Sequence, residues 1–146
     1  QMLADNARIR EQELDPTANA LDRLMTHFEI NYRWAVESEH HAQILTGLFH
    51  FASYEPSFTK LYTAVIARGR ARVLELVYAG ARESLFSLPA DPERTAEVLH
   101  DGLLGYLLNA ACSRAGLKER ELAKWQLLVR AVTGHDLPRY LPAAVA

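Results

Sequence analysis

At 146 residues the chain is long enough for one domain with a sizeable core. Hydrophobic residues make up 49% and charged residues 23%, with a formal net charge of −2; this is ordinary for a soluble globular protein and lacks the basic excess of a nucleic-acid-binding surface. The single cysteine, Cys112, excludes an intrachain disulfide and a Cys-based zinc site and fits a reducing, cytoplasmic compartment, and no apolar run reaches the roughly 18 residues of a membrane span.

β-Branched residues are scattered and alternation is absent, so the expected fold is all-α: one domain over residues 1–146, an antiparallel bundle of about six helices. The chain reads as helix from Met2 to about Leu14, directly after a non-initiator Gln1, so further sequence is expected upstream. Asp15-Pro16 ends this helix and is expected to cap the next, which runs to about Glu37. Leu21, Leu24, Met25, Phe28, Tyr32 and Ala35 form its apolar face. A shorter helix spans roughly His40 to Ser53, with Ile44, Leu45, Leu48, Phe51 and Ala52 inward. Glu55-Pro56 interrupts the pattern, because proline disfavours helical geometry in the residue before it.

A long helix follows, from about Pro56 to Ser84. Phe58, Leu61, Tyr62, Val65, Ile66, Val73, Leu74, Val77 and Tyr78 cover more than one stripe of it, so contact on two sides is expected. Asp91 then supplies an N-cap, Pro92 fits the first helical position, and Glu93 complements the positive helix end. Along this helix Val98, Gly102, Gly105, Asn109 and Cys112 recur at helical spacing. Each interior glycine costs about 1 kcal/mol relative to alanine, which points to a compensating close contact. Gly116 is placed to end the helix in a left-handed turn. The last helix, about 117–133, carries Leu122, Trp125, Leu128, Val129 and Val132 on one side and ends at Gly134.

This helix order, with an Asp91-Pro92 start leading to Gly102 and Gly105, resembles the core domain that follows the DNA-binding head in the TetR family of bacterial transcriptional regulators. The resemblance covers nearly the whole chain. It implies an effector-binding and dimerisation domain whose helix-turn-helix head, absent from these residues, binds operator DNA. The implied homodimer pairs the last two helices through Val98, Gly102, Gly105, Asn109, Cys112, Leu122, Trp125, Val129 and Val132. The implied effector is small and apolar. Met25, Phe28, Tyr32, Phe49, Phe51, Tyr62, Ile66 and Tyr106 are the candidate lining, with Tyr32, Tyr62 and Asn109 as orienting polar groups. A fully packed core is the alternative use of the same residues.

Two Glu-x-x-His pairs, Glu37/His40 and Glu97/His100, have the spacing that places both ligands on one helix face in di-metal carboxylate bundles, with Glu75 as a third inward carboxylate. That is the second functional reading, and a helical interaction domain without a ligand is the third. No metal or cofactor is expected under the first. His40-His41 reads as a polar helix start, and His27, His50 and His100 as hydrogen-bonded core or boundary residues. Arg68, Arg70 and Arg72 do not share a face, so a solvated surface is expected, with Arg72 paired to Glu75. The chain has no glycine-rich phosphate loop, nucleophile elbow or supported Cys–His pair, so no enzymatic activity is expected.

Overall fold

The computed structural model describes residue 15 and residues 17–36, 39–113 and 118–135. Five helices pack together: α1 (Ala20–Val36), α2 (Glu39–Ala52), α3 (Pro56–Arg82), α4 (Pro92–Ser113) and α5 (Lys118–Thr133). The described residues contain no strand. The expected opening helix and the Gly116 turn lie outside them, so five helices rather than six are seen.

Local chemistry sets the helix ends. Asn19 caps α1 in place of Asp15: its Oδ1 accepts from the Asp22 amide at 2.9 Å, and its Nδ2 donates to Asp22 Oδ2 at 2.7 Å. Asp15 instead builds a tight turn, accepting from the Thr17 amide and hydroxyl at 2.8 and 2.7 Å. These two bonds hold its carboxyl below the usual range. At α4 the expected cap is present, with Asp91 Oδ1 accepting from the Arg94 amide at 2.8 Å. α5 stops at Gly134, whose φ is +65°.

α3 ends in a close fold-back. Ser84 takes a left-handed conformation, φ 58°, and the Leu85 and Phe86 amides both donate to the Gly80 carbonyl. The Phe86 ring then lies directly on Gly80, where any side chain would collide with it. The following segment docks on the end of α5, with the Ser87 amide donating to the Thr133 carbonyl at 2.8 Å and His135 Nδ1 2.8 Å from the Leu85 carbonyl oxygen. Glu83 ties the same region to α1, accepting from the Ala20 amide at 2.7 Å and Arg23 Nη2 at 3.0 Å.

The core lies between α1, the C-terminal half of α3, α4 and α5. Trp125 and Phe28 stack with ring centroids 5.1 Å apart, Phe28 stacks on Tyr32 at 5.9 Å, and Tyr106 meets Phe28 edge-on. Leu24, Val73, Leu76, Val77, Leu99, Leu103 and Val129 complete this cluster. α2 was expected to turn five apolar side chains inward, yet none of its residues is fully buried and Phe51 remains 42% exposed. The N-terminal half of α3 is uncovered in the same way, with Phe58 and Leu61 exposed. Full burial along α3 begins only at Val73, and Tyr78, expected on a covered stripe, stays exposed. No helix among the described residues is long and apolar enough to cross a membrane.

Candidate functional site

One cavity follows from this uneven packing. α2 crosses α3 and α4 without filling the space beneath it, and a cleft of about 560 Å³ opens between the three helices. Small-ligand sites run from roughly 300 to 1,000 Å³. Phe49 comes from α2, Tyr62, Thr63, Ile66, Ala67 and Arg70 from α3, and Asp101, Leu104, Gly105 and Leu108 from α4. The spacing explains the convergence: Tyr62, Ile66 and Arg70 lie four apart on α3, and Asp101, Leu104, Gly105 and Leu108 form one face of α4. A second depression, of about 510 Å³, runs beside Leu127 and is formed by α5 and its terminal turn alone.

The cleft has an aromatic and aliphatic wall and one polar end. Phe49 and Tyr62 meet edge-to-face, with centroids 6.0 Å apart and planes at 79°. Gly105 leaves open space at its Cα, with no atom within 4 Å of where a Cβ would lie. At the polar end Arg70 Nη2 donates to both carboxylate oxygens of Asp101, at 3.0 and 3.1 Å, and Nη1 lies 3.8 Å from Glu97 Oε1. The hydrogen bond to Asp101 raises the Arg70 pKa above its ordinary value, so its charge is permanent. Arg70 Nε is buried and finds no acceptor among the described residues.

His100 supports this end from behind. Its ring lies against Gly69, where a side chain on α3 would strike Nε2, and Nδ1 is 3.5 Å from Asp101 Oδ1. Burial holds the imidazole below its ordinary pKa; the hydrogen bond to Asp101 opposes that shift, and the Arg70 charge adds to it. The close approach expected of the glycines in α4 is therefore also made by Gly69 of α3, through His100.

The structure divides the expected lining into three groups. Tyr62 and Ile66 line the cleft, as does Phe49. Phe28 and Tyr32 are fully buried in the aromatic stack, with Met25 and Tyr106 packed beside them. They fill the core because α5 presses Trp125 onto Phe28. Phe51 and Asn109 are exposed and do not line the cleft. The sequence reading missed Thr63, Ala67, Arg70, Asp101, Leu104 and Leu108. Leu104 and Leu108, four apart with Asp101 one turn earlier, were the signal that could have found them.

The expected dimer residues also divide. Val98, Gly105, Asn109 and Cys112 are exposed on α4. Trp125 and Val129 have no exposed surface within this chain, and Leu122 and Val132 pack against the same core, so these four serve the chain's own interior first. Gly102 accommodates Leu128 of α5, whose Cδ2 occupies the place of a side chain there. Its close contact is thus made within one chain.

Among the described residues no group of three or more His, Cys, Asp or Glu side chains converges as a metal site would. Glu75 is exposed and pairs with Arg72 at 2.8 Å, as the spacing predicts, instead of pointing inward. Glu97 is exposed beside Arg70, His40 is exposed, and Glu37 lies outside the described residues. His41 stacks on Trp34 at 4.8 Å, with Nδ1 3.0 Å from the Trp34 carbonyl oxygen. No family model, curated protein or solved structure matches the chain.

Proposed function

We propose that this chain is the effector-sensing and dimerisation domain of a TetR-like transcriptional regulator, and that the cleft between α2, α3 and α4 receives the effector. The observation that carries the reading is the cleft: three helices border about 560 Å³ of part-open space with apolar walls and a charged pair at one end. An all-helical chain with an Asp91–Pro92 cap and the exposed stripe Val98, Gly105, Asn109 and Cys112 on α4 supports the dimer. In such a regulator the effector acts by its differential affinity for two spacings of the DNA-binding heads, which an upstream domain would supply. The chain itself takes no catalytic role and makes no specific contact with DNA.

Two measurements test this. A neutral apolar fluorophore, N-phenyl-1-naphthylamine, is expected to bind the purified chain and to be excluded by Ala67→Trp, which adds an indole at an exposed position of the cleft wall on α3. Light scattering is expected to find a dimer at micromolar concentration and a monomer for Val98→Arg, which puts a charge in a two-fold contact. An unaffected fluorophore would remove the effector site from the cleft, and a monomeric wild type would remove the dimer. One observation favours a second reading, an interaction domain without a small ligand. His50, Phe51, Tyr54 and Phe58 form an aromatic cluster at the α2–α3 turn, and the three apolar rings are each more than a third exposed.

A further inference from the structure

The charges at the polar end of the cleft do not balance. Arg70 brings one positive charge, while Asp101 and Glu97 bring two negative ones, at 3.0 and 3.8 Å from its guanidinium nitrogens. Of the other ionisable groups on this corner, Tyr62 faces Arg70 and brings no positive charge, and His100 is kept neutral by burial near pH 7. Two carboxylates therefore share one guanidinium. An anionic ligand at Arg70 Nη1 would lie beside both carboxylates, and one that took Nη2 would also detach Asp101. A cation beside Asp101 has two carboxylates to set against the one guanidinium. The Asp101 side chain is 57% exposed, and its two oxygens offer about four lone-pair sites, of which Arg70 Nη2 uses two and His100 Nδ1, at 3.5 Å, a third. The adjacent Phe49 and Tyr62 rings supply faces that attract cations, and Ile66, Leu104 and Leu108 supply the apolar wall.

We propose that the cleft selects lipophilic cations: molecules with an aromatic or aliphatic body seated against Phe49, Tyr62 and Leu108 and a positive centre beside Asp101. This rests on the reading of the cleft as an effector site. The bound set then carries two positive and two negative charges around a part-open pocket, where Coulomb energy is screened less than at the free surface.

The test uses two probes of one shape and opposite charge, tetraphenylphosphonium and tetraphenylborate, competed against N-phenyl-1-naphthylamine on the 146-residue chain. Tetraphenylphosphonium is expected to displace the fluorophore at a concentration at least tenfold lower than tetraphenylborate. Asp101→Asn and Glu97→Gln, both at exposed positions, are each expected to weaken the phosphonium about three- to tenfold and to narrow its advantage over the borate. Equal or tighter displacement by the borate would overturn the proposal, as would phosphonium binding that neither variant alters; in both cases fluorophore binding sensitive to Ala67→Trp leaves the effector site standing. Failure of all three probes to bind would overturn the effector site and the cation selectivity together.

Discussion

Aromatic side chains serve opposite purposes in the two halves of this bundle. Where α1 meets α4 and α5, Phe28, Tyr32 and Trp125 form a continuous stack, each ring at most 2% exposed. Where α2 meets the start of α3, Phe51 touches Tyr54 and Phe58, and Phe49 meets Tyr62, yet Phe49, Phe51, Tyr54 and Phe58 keep between 38% and 60% of their surface in water. The difference comes from a third layer: α5 closes over the first set, and no described helix closes over the second. A ring cluster covered on every side contributes stability, while one covered on a single side leaves a surface and, beside it, a cleft.

The largest expected effect contrasts the two clusters directly. Trp125→Ala or Phe28→Ala is expected to lower stability to urea unfolding by about 3–5 kcal/mol, as for other fully buried aromatics. Phe51→Ala is expected to cost less than about 1 kcal/mol, because water already covers much of the ring. Equal losses would show that α2 is covered in solution.

Glycines sharpen the contrast. Gly69→Ala and Gly80→Ala place a methyl group against His100 and Phe86, and each is expected to destabilise by roughly 1–3 kcal/mol. Gly47→Ala, inside α2, is expected to stabilise by about 0.5–1 kcal/mol, because its methyl group meets only the edge of Phe51 at 4.0 Å. Thermal unfolding of the three variants checks both signs.

The boundary between the halves should also be sensitive to acid. His100 is neutral and buried, so the folded chain resists a proton that the unfolded chain accepts near the ordinary histidine value of about 6.5. Its contribution is fully present above that pH and is lost as pH falls through the lowered folded value. His100→Gln is expected to flatten the slope of stability against pH below about 6.5 while leaving the slope above it unchanged. Chemical unfolding at stepped pH, wild type against variant, measures that difference. The smallest effect is expected for Glu75→Ala: the exposed Arg72–Glu75 pair contributes no more than about 0.5 kcal/mol in a double-mutant cycle.

Features set by a few neighbouring residues were legible in the sequence. Asp91-Pro92 and Gly134 mark helix ends through bonds within one turn, and Arg72–Glu75 is a pair within one face. The division of the apolar residues was not legible. Periodicity says that Phe28 and Ile66 face inward, but two inward spaces exist, one filled by Trp125 and one open. Which residue reaches which depends on how helices far apart in the chain cross. For the same reason the apolar surplus of α5 read as a dimer surface, whereas Trp125 and Val129 are used to close the core over α1. Asp15 misled for a local reason: its carboxylate is taken by Thr17, which leaves Asn19 to start the helix. The fold-back of Phe86 onto Gly80 has no signal in periodicity at all, since it joins a loop residue to a helix.

Glu83 has a mechanical meaning. It stands just beyond α3, a rod of 27 residues, or roughly 40 Å at 1.5 Å per residue. Near one end of that rod Tyr62 and Ile66 border the cleft, and at the other Glu83 grips the first turn of α1 through Ala20 and Arg23. A slide or tilt imposed on α3 at the cleft is thus delivered, with the leverage of the whole rod, to the first turn of α1.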